Sequence, residues 1–130
     1  MRKDIKLTRE FVADLRRAFE LASEEVNVRY VHKVDIALLA TLKPANSFYI
    51  SLEEGRRIIN RMKKGNITKK KSEMTVLKYN DLFEVYQSIK KDLPTAPESF
   101  IIKLSIDCPA PRFYITPERV LRLLNKYIGV

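Results

Sequence analysis

The sequence predicts an α+β fold: a single domain over residues 1–130, formed by tandem duplication, with pseudo-twofold symmetry around a small sheet. Three observations predict it. The first is an internal copy at an offset of 65 residues, with eight identities: Pro44/Pro109, Ala45/Ala110, Phe48/Phe113, Tyr49/Tyr114, Ile50/Ile115, Glu53/Glu118, Arg57/Arg122 and Asn60/Asn125. Repeated positions of this kind mark a structural unit used twice. The second is a pair of alternating apolar runs, Val34–Leu42 and Phe100–Ile106, whose period of two reads as strand. The third is helical spacing of apolar residues elsewhere, which supplies the layer that covers the sheet.

In chain order, Ile5-Lys6-Leu7 reads as a short strand or lead-in, and Thr8 as an N-cap. Phe11, Leu15, Ala18, Phe19, Ala22 and Val26 then recur on one face of a helix over about residues 9–26. Val34, Ile36, Leu38, Ala40 and Leu42 follow as a central strand, because Ala37 and Leu39 leave its other face apolar as well. Lys43-Pro44-Ala45-Asn46 ends it, and Phe48-Tyr49-Ile50 is a short extended piece. Ser51 and Glu54 form a capping box for a helix that Gly65 closes near Lys64.

The first repeat thus spans about residues 5–65 and the second about 76–130, joined by a basic loop over 66–75. In the second, Val76-Leu77-Lys78-Tyr79 reads as the lead-in and Asn80-Asp81 as the cap of a shorter helix. Phe100, Ile102, Leu104 and Ile106 alternate with Lys103, Ser105 and Asp107, as in a strand with one wet face. Thr116 caps the last helix with Pro117 at its first position, and Ile115 with Val120 suits a hydrophobic staple.

Composition bounds the function. A chain of 130 residues with 45% hydrophobic and 32% charged residues suits a globular domain without disulfides. The first residues carry no apolar run behind their charges, and the longest apolar run, Ile36–Ala40, cannot span a bilayer. Cys108 is a lone cysteine and fits a reducing, cytoplasmic setting. His32 and Cys108, each the sole residue of its kind, sit in no metal or nucleophile motif. The expectation is a non-enzymatic protein with no cofactor, no metal, no membrane segment and no small-molecule substrate.

The charge points elsewhere. The net charge is +9, and Arg56, Arg57, Arg61, Lys63, Lys64, Lys69, Lys70 and Lys71 lie together with no acid among them. Such a helix and loop could follow a phosphate backbone, releasing counterions as it binds. DNA or RNA is therefore the expected partner, with a solvated face as the plain alternative. The repeated stripe Glu53, Arg57, Asn60 and Glu118, Arg122, Asn125 has i, i+4, i+7 spacing. It reads as helix-stabilising pairs or as a surface that docks one repeat or a partner. Tyr49 and Tyr114 read as edge residues or as base-stacking platforms. A competing class is a homodimer in which Phe100–Ile106 pairs as an exposed edge strand, without nucleic-acid binding.

The run Pro109-Ala110-Pro111-Arg112-Phe113-Tyr114-Ile115-Thr116-Pro117-Glu118-Arg119 resembles a signature of small uncharacterised bacterial proteins of mobile elements and prophages. In the first copy Asn46 and Ser47 stand in place of Pro111 and Arg112. The resemblance implies no established activity, and it suits an accessory or regulatory role in a mobile element. A more distant likeness is to phage-type transcription activators with a Tyr-Ile-Pro turn. Here Ser51 and Thr116 replace that proline.

Overall fold

The computed structural model describes residues 5–26, 31–65 and 72–128. Among them lie six helices and no strand: α1 (Ile5–Glu25), α2 (Lys33–Thr41), α3 (Leu52–Lys63), α4 (Glu73–Asp92), α5 (Glu98–Asp107) and α6 (Pro117–Ile128). The expected α+β fold with a small sheet is overturned, because both alternating runs are helical.

The reason lies in what a period of two can conceal. In α2, Ile36, Ala37, Ala40 and Thr41 are buried, which is the i, i+1, i+4, i+5 pattern of a helix face. Val34, Leu38 and Leu42 are also apolar but exposed, four residues apart on the opposite side. Two helical rows offset by two residues add up to perfect alternation. The same happens in α5, where Ile102 and Ile106 are buried and Phe100 and Leu104 are exposed. Short apolar runs cannot be assigned from periodicity alone.

Two further readings are corrected. Ile5–Leu7 begin α1, so Thr8 lies inside the helix and is not at its N-cap position. In the second copy the expected lead-in Val76-Leu77-Lys78-Tyr79 belongs to α4, not to a strand. The cap is Ser72, whose Oγ accepts from the Thr75 amide at 3.2 Å, and Asn80-Asp81 lie well inside the helix. The third helix of each copy forms as the sequence indicated. Ser51 Oγ accepts from the Glu54 amide at 3.2 Å, and Thr116 Oγ1 from the Arg119 amide at 3.3 Å. Past Lys64, Gly65 turns the chain with φ +70°, the left-handed conformation that favours glycine.

The helices assemble as two compact units. One comprises Met1–Ala45 with Pro111–Val130, and the other Asn46–Ala110. The first unit therefore contains α1, α2 and α6, and the second α3, α4 and α5. Within each unit all three helices pack on one another.

In the first unit Val12, Leu15, Ala18 and Ala22 of α1 meet Val120 and Leu124 of α6 and the buried face of α2 in one core. Phe113, 2% exposed, closes it edge-on against Phe11 with ring centroids 5.9 Å apart. Asp14 lies inside this unit with its side chain 1% exposed, bridged by Arg17 at 2.5 Å. Arg17 also donates to the Pro44 carbonyl at 3.3 Å. A carboxylate is tolerated there because charge-assisted bonds replace its hydration.

In the second unit Ile58 and Ile59 of α3, Leu82 and Tyr86 of α4, and Ile101, Ile102 and Ile106 of α5 form the core. Phe48 and Ile50 are buried with them, while Tyr49 is half-buried. Tyr49 holds φ +55°, a conformation that costs a non-glycine residue about 1–2 kcal/mol. Its amide donates to Ser47 Oγ at 3.1 Å.

Candidate nucleic-acid interface

The geometry of α3 follows from its composition. Leu52, Gly55, Ile58, Ile59 and Met62 form its inner face. The intervening positions project outward on a helix that turns 100° per residue. Glu53 and Glu54 occupy the first turn, and Arg61 and Lys63 the last, as the helix dipole favours. Arg56, Arg57, Arg61, Lys63 and Lys64 are all exposed. Lys69, Lys70 and Lys71 lie outside the described residues.

The five described cations do not act alike. Lys63 turns toward its own unit. Its ammonium pairs with the Glu98 carboxylate and lies 5.0 Å from the centre of the Tyr86 ring. The Tyr86 hydroxyl donates to the same carboxylate at 2.5 Å, and Lys90 approaches it at 3.8 Å. The hydrogen bond from Lys63, then that from Tyr86, holds the Glu98 carboxyl below its ordinary value. The Glu98 bond raises the Lys63 ammonium above its own. Burial, then Glu98, raises the Tyr86 phenol. Lys63 is thus a fastening between α3 and α5, and its charge is matched. Sequence alone gave no sign of this, since Lys63 and Glu98 are 35 positions apart.

Arg56, Arg57, Arg61 and Lys64 remain on the outward arc of α3, opposite Ile58 and Ile59. The stripe residues Glu53, Arg57 and Asn60 run along the middle of that arc. Their copies Glu118, Arg122 and Asn125 are likewise exposed on α6. All six are exposed, so among the described residues the stripe lies on the outer side of both helices. Tyr49 and Tyr114 are half-buried with Phe48, Ile50, Phe113 and Ile115 buried beside them, and with no strand among the described residues there is no sheet edge for them to occupy.

A second group of cations has no sequence signature beyond that of an ordinary helix exterior. A shallow groove of about 640 Å³ in the first unit is lined by Arg9, Arg16, Arg17, Glu20 and Tyr127 among others. Arg16 pairs with Glu20 at 3.0 Å, and Arg17 is committed to Asp14. Internal partners occupy two of the three guanidiniums. Positive charge is also less localised than the run in α3 suggests, since the two units carry nearly equal net charge. What distinguishes α3 is the grouping of its cations on one exposed arc.

His32 is the N-cap residue of α2 with no side-chain cap bond, and Cys108 is the C-cap residue of α5, half-buried. Among the described residues no three of His, Cys, Asp and Glu gather to hold a metal, and no helix is long and apolar enough to cross a membrane. The edge-strand route to a homodimer is overturned with the sheet: Phe100–Ile106 lies in α5, whose backbone bonds are made within the helix.

Comparison with protein-family models, with curated proteins and with solved structures found no match. The likeness of Pro109–Arg119 to mobile-element proteins therefore rests on the sequence alone.

Proposed function

We propose that the protein is a non-catalytic module that contacts the phosphates of nucleic acid through the outward arc of α3. The observation that carries this reading is the grouping of Arg56, Arg57, Arg61 and Lys64 on the exposed side of one helix. Guanidinium forks suit phosphate oxygens, and a helix exterior can lie along a backbone. The lysines that follow in sequence, Lys69–Lys71, extend the same charge. Such a surface reads charge and not sequence, which suits an accessory role in a mobile element.

The test is binding of mixed-sequence DNA and RNA at low and at physiological salt. About four phosphate contacts predict a log–log salt slope of roughly −3 to −4 on duplex DNA. Changing Arg56, Arg61 and Lys64 to Gln should flatten that slope by roughly 2–3 and weaken binding at low salt. Absence of binding to either polymer at low salt would retire the reading.

One observation favours a second reading. Val34, Leu38 and Leu42 are 36%, 48% and 58% exposed along one side of α2. A row of exposed aliphatic residues suits a protein contact, including one with a second copy. An apolar association of this kind would persist in salt that abolishes phosphate binding.

A further inference from the structure

The two copies of the duplication do not close on themselves. Residues 5–65 supply α1 and α2 to the first unit but send α3 to the second. Residues 72–128 supply α4 and α5 to the second unit and send α6 to the first. The chain passes between units after Ala45 and again after Ala110, positions that correspond at the offset of 65.

The symmetry extends to single bonds. The Phe48 amide donates to the Ile106 carbonyl at 3.1 Å, and the Phe113 amide to the Thr41 carbonyl at 2.9 Å. Adding 65 to Phe48 gives Phe113, and to Thr41 gives Ile106. Each bond joins residues of different copies within one unit. The buried faces correspond as well: Ile36, Ala37, Ala40 and Thr41 of α2 map onto Ile101, Ile102, Ser105 and Ile106 of α5. The third helix of each copy is therefore exchanged, as in a helix-swapped dimer fused end to end.

One set of positions breaks the symmetry in a complementary way. A Cβ at Gly55 would meet Ile106 Cγ2 at 3.0 Å and Ile102 Cγ2 at 3.2 Å. The α3 backbone thus lies close on two bulky residues of α5, and only glycine fits without a shift. In the other unit the glycine is replaced by Val120, fully buried, and the two isoleucines by Ala37 and Thr41. Small meets large in the second unit, and at the equivalent buried positions of the first the sizes are reversed. A copy closed on its own third helix would set Val120 against Ile102 and Ile106, and Gly55 against Ala37 and Thr41. The first combination overpacks and the second leaves a void.

We propose that each half of the chain is a binding surface for the other half's third helix. The size match of Gly55 with Ile102 and Ile106, and of Val120 with Ala37 and Thr41, selects that partner over the half's own helix. Discrimination by a clash in the wrong pairing is a general route to specificity.

The test uses the full chain with a protease site inserted within residues 66–71. After cleavage the two halves should co-elute on gel filtration, and after separation in denaturant they should recombine one to one. Gly55→Val should weaken recombination by about tenfold or more, the effect of overpacking a tight contact. Adding Ile102→Ala and Ile106→Thr, which copies the other unit's solution, should restore most of the loss. Halves that separate as two independently folded monomers would overturn the exchange. A triple variant that recombines no better than Gly55→Val would overturn the size match as its determinant.

Discussion

The two units solve one packing problem with different residues. Around the transferred helix the first unit uses Val120 over a small-residue face, and the second uses Gly55 under an isoleucine face. Their ionic fastenings differ too. Asp14 is buried and bridged by the half-exposed Arg17 in the first unit, whereas Glu98 gathers Lys63, Lys90 and Tyr86 at the rim of the second, where its side chain is 40% exposed. After duplication, the positions that set backbone geometry stayed alike: the Ser51/Thr116 caps, Phe48/Phe113, Ile50/Ile115 and the Phe48 and Phe113 hydrogen bonds. The positions that decide which helix packs where, and what charge is left outside, drifted apart.

The comparison can be broken first where the units agree. Ile59 and Leu124 are equivalent and both fully buried. Truncation of either to Ala should cost about 2–5 kcal/mol, with the two losses within about 1 kcal/mol of each other. Denaturant midpoints at unchanged m-value would measure this, and a large loss at only one site would show that the cores are not equivalent. Next is Arg17→Met, which leaves the Asp14 carboxylate inside the unit without its bridging guanidinium. Since Arg17 itself is half exposed, about 2 kcal/mol is expected, little changed by added salt.

The smallest effect sharpens the ionic contrast. The Glu98 carboxyl titrates below its ordinary value in the folded chain. The unfolded chain therefore takes up this proton first as pH falls. The stabilisation is complete above the ordinary carboxylate range and is lost as pH drops through the lower folded value. Glu98→Gln should remove that part of the acid dependence. At neutral pH it should cost less than about 1 kcal/mol, because Glu98 and its two lysine partners are each about 40% exposed. An unchanged acid limb in thermal melts at pH 3 to 6 would contradict the assignment.

The sequence made the duplication and the third helices legible because their signals are local. Ser51 with Glu54, Thr116 with Pro117, and Gly65 each act within one turn of chain. Ser72 is equally local, but it lies within the basic run 66–75, and Asn80-Asp81 present a competing cap signal. The second helices were illegible for a different reason. Apolar rows on two faces, Ile36 with Ala40 and Val34 with Leu38, superpose into strand-like alternation. The exchange itself left no local trace. The α3 sequence forms the same helix whether it packs on α2 or on α5, and Gly55 gains its meaning only beside Ile102 and Ile106. For the basic face, the positions of Arg56, Arg57, Arg61 and Lys64 followed from helical spacing. The capture of Lys63 by Glu98 required the tertiary fold.

The most direct test of the exchanged architecture is a set of nuclear Overhauser contacts in the intact, methyl-labelled protein. The Gly55 α-protons should lie next to the Ile106 and Ile102 γ2 methyls, and the Phe11 ring next to the Phe113 ring. Contacts of Val120 methyls with Ile102 and Ile106, together with Gly55 against Ala37 and Thr41, would show each half closed on its own third helix and contradict the account.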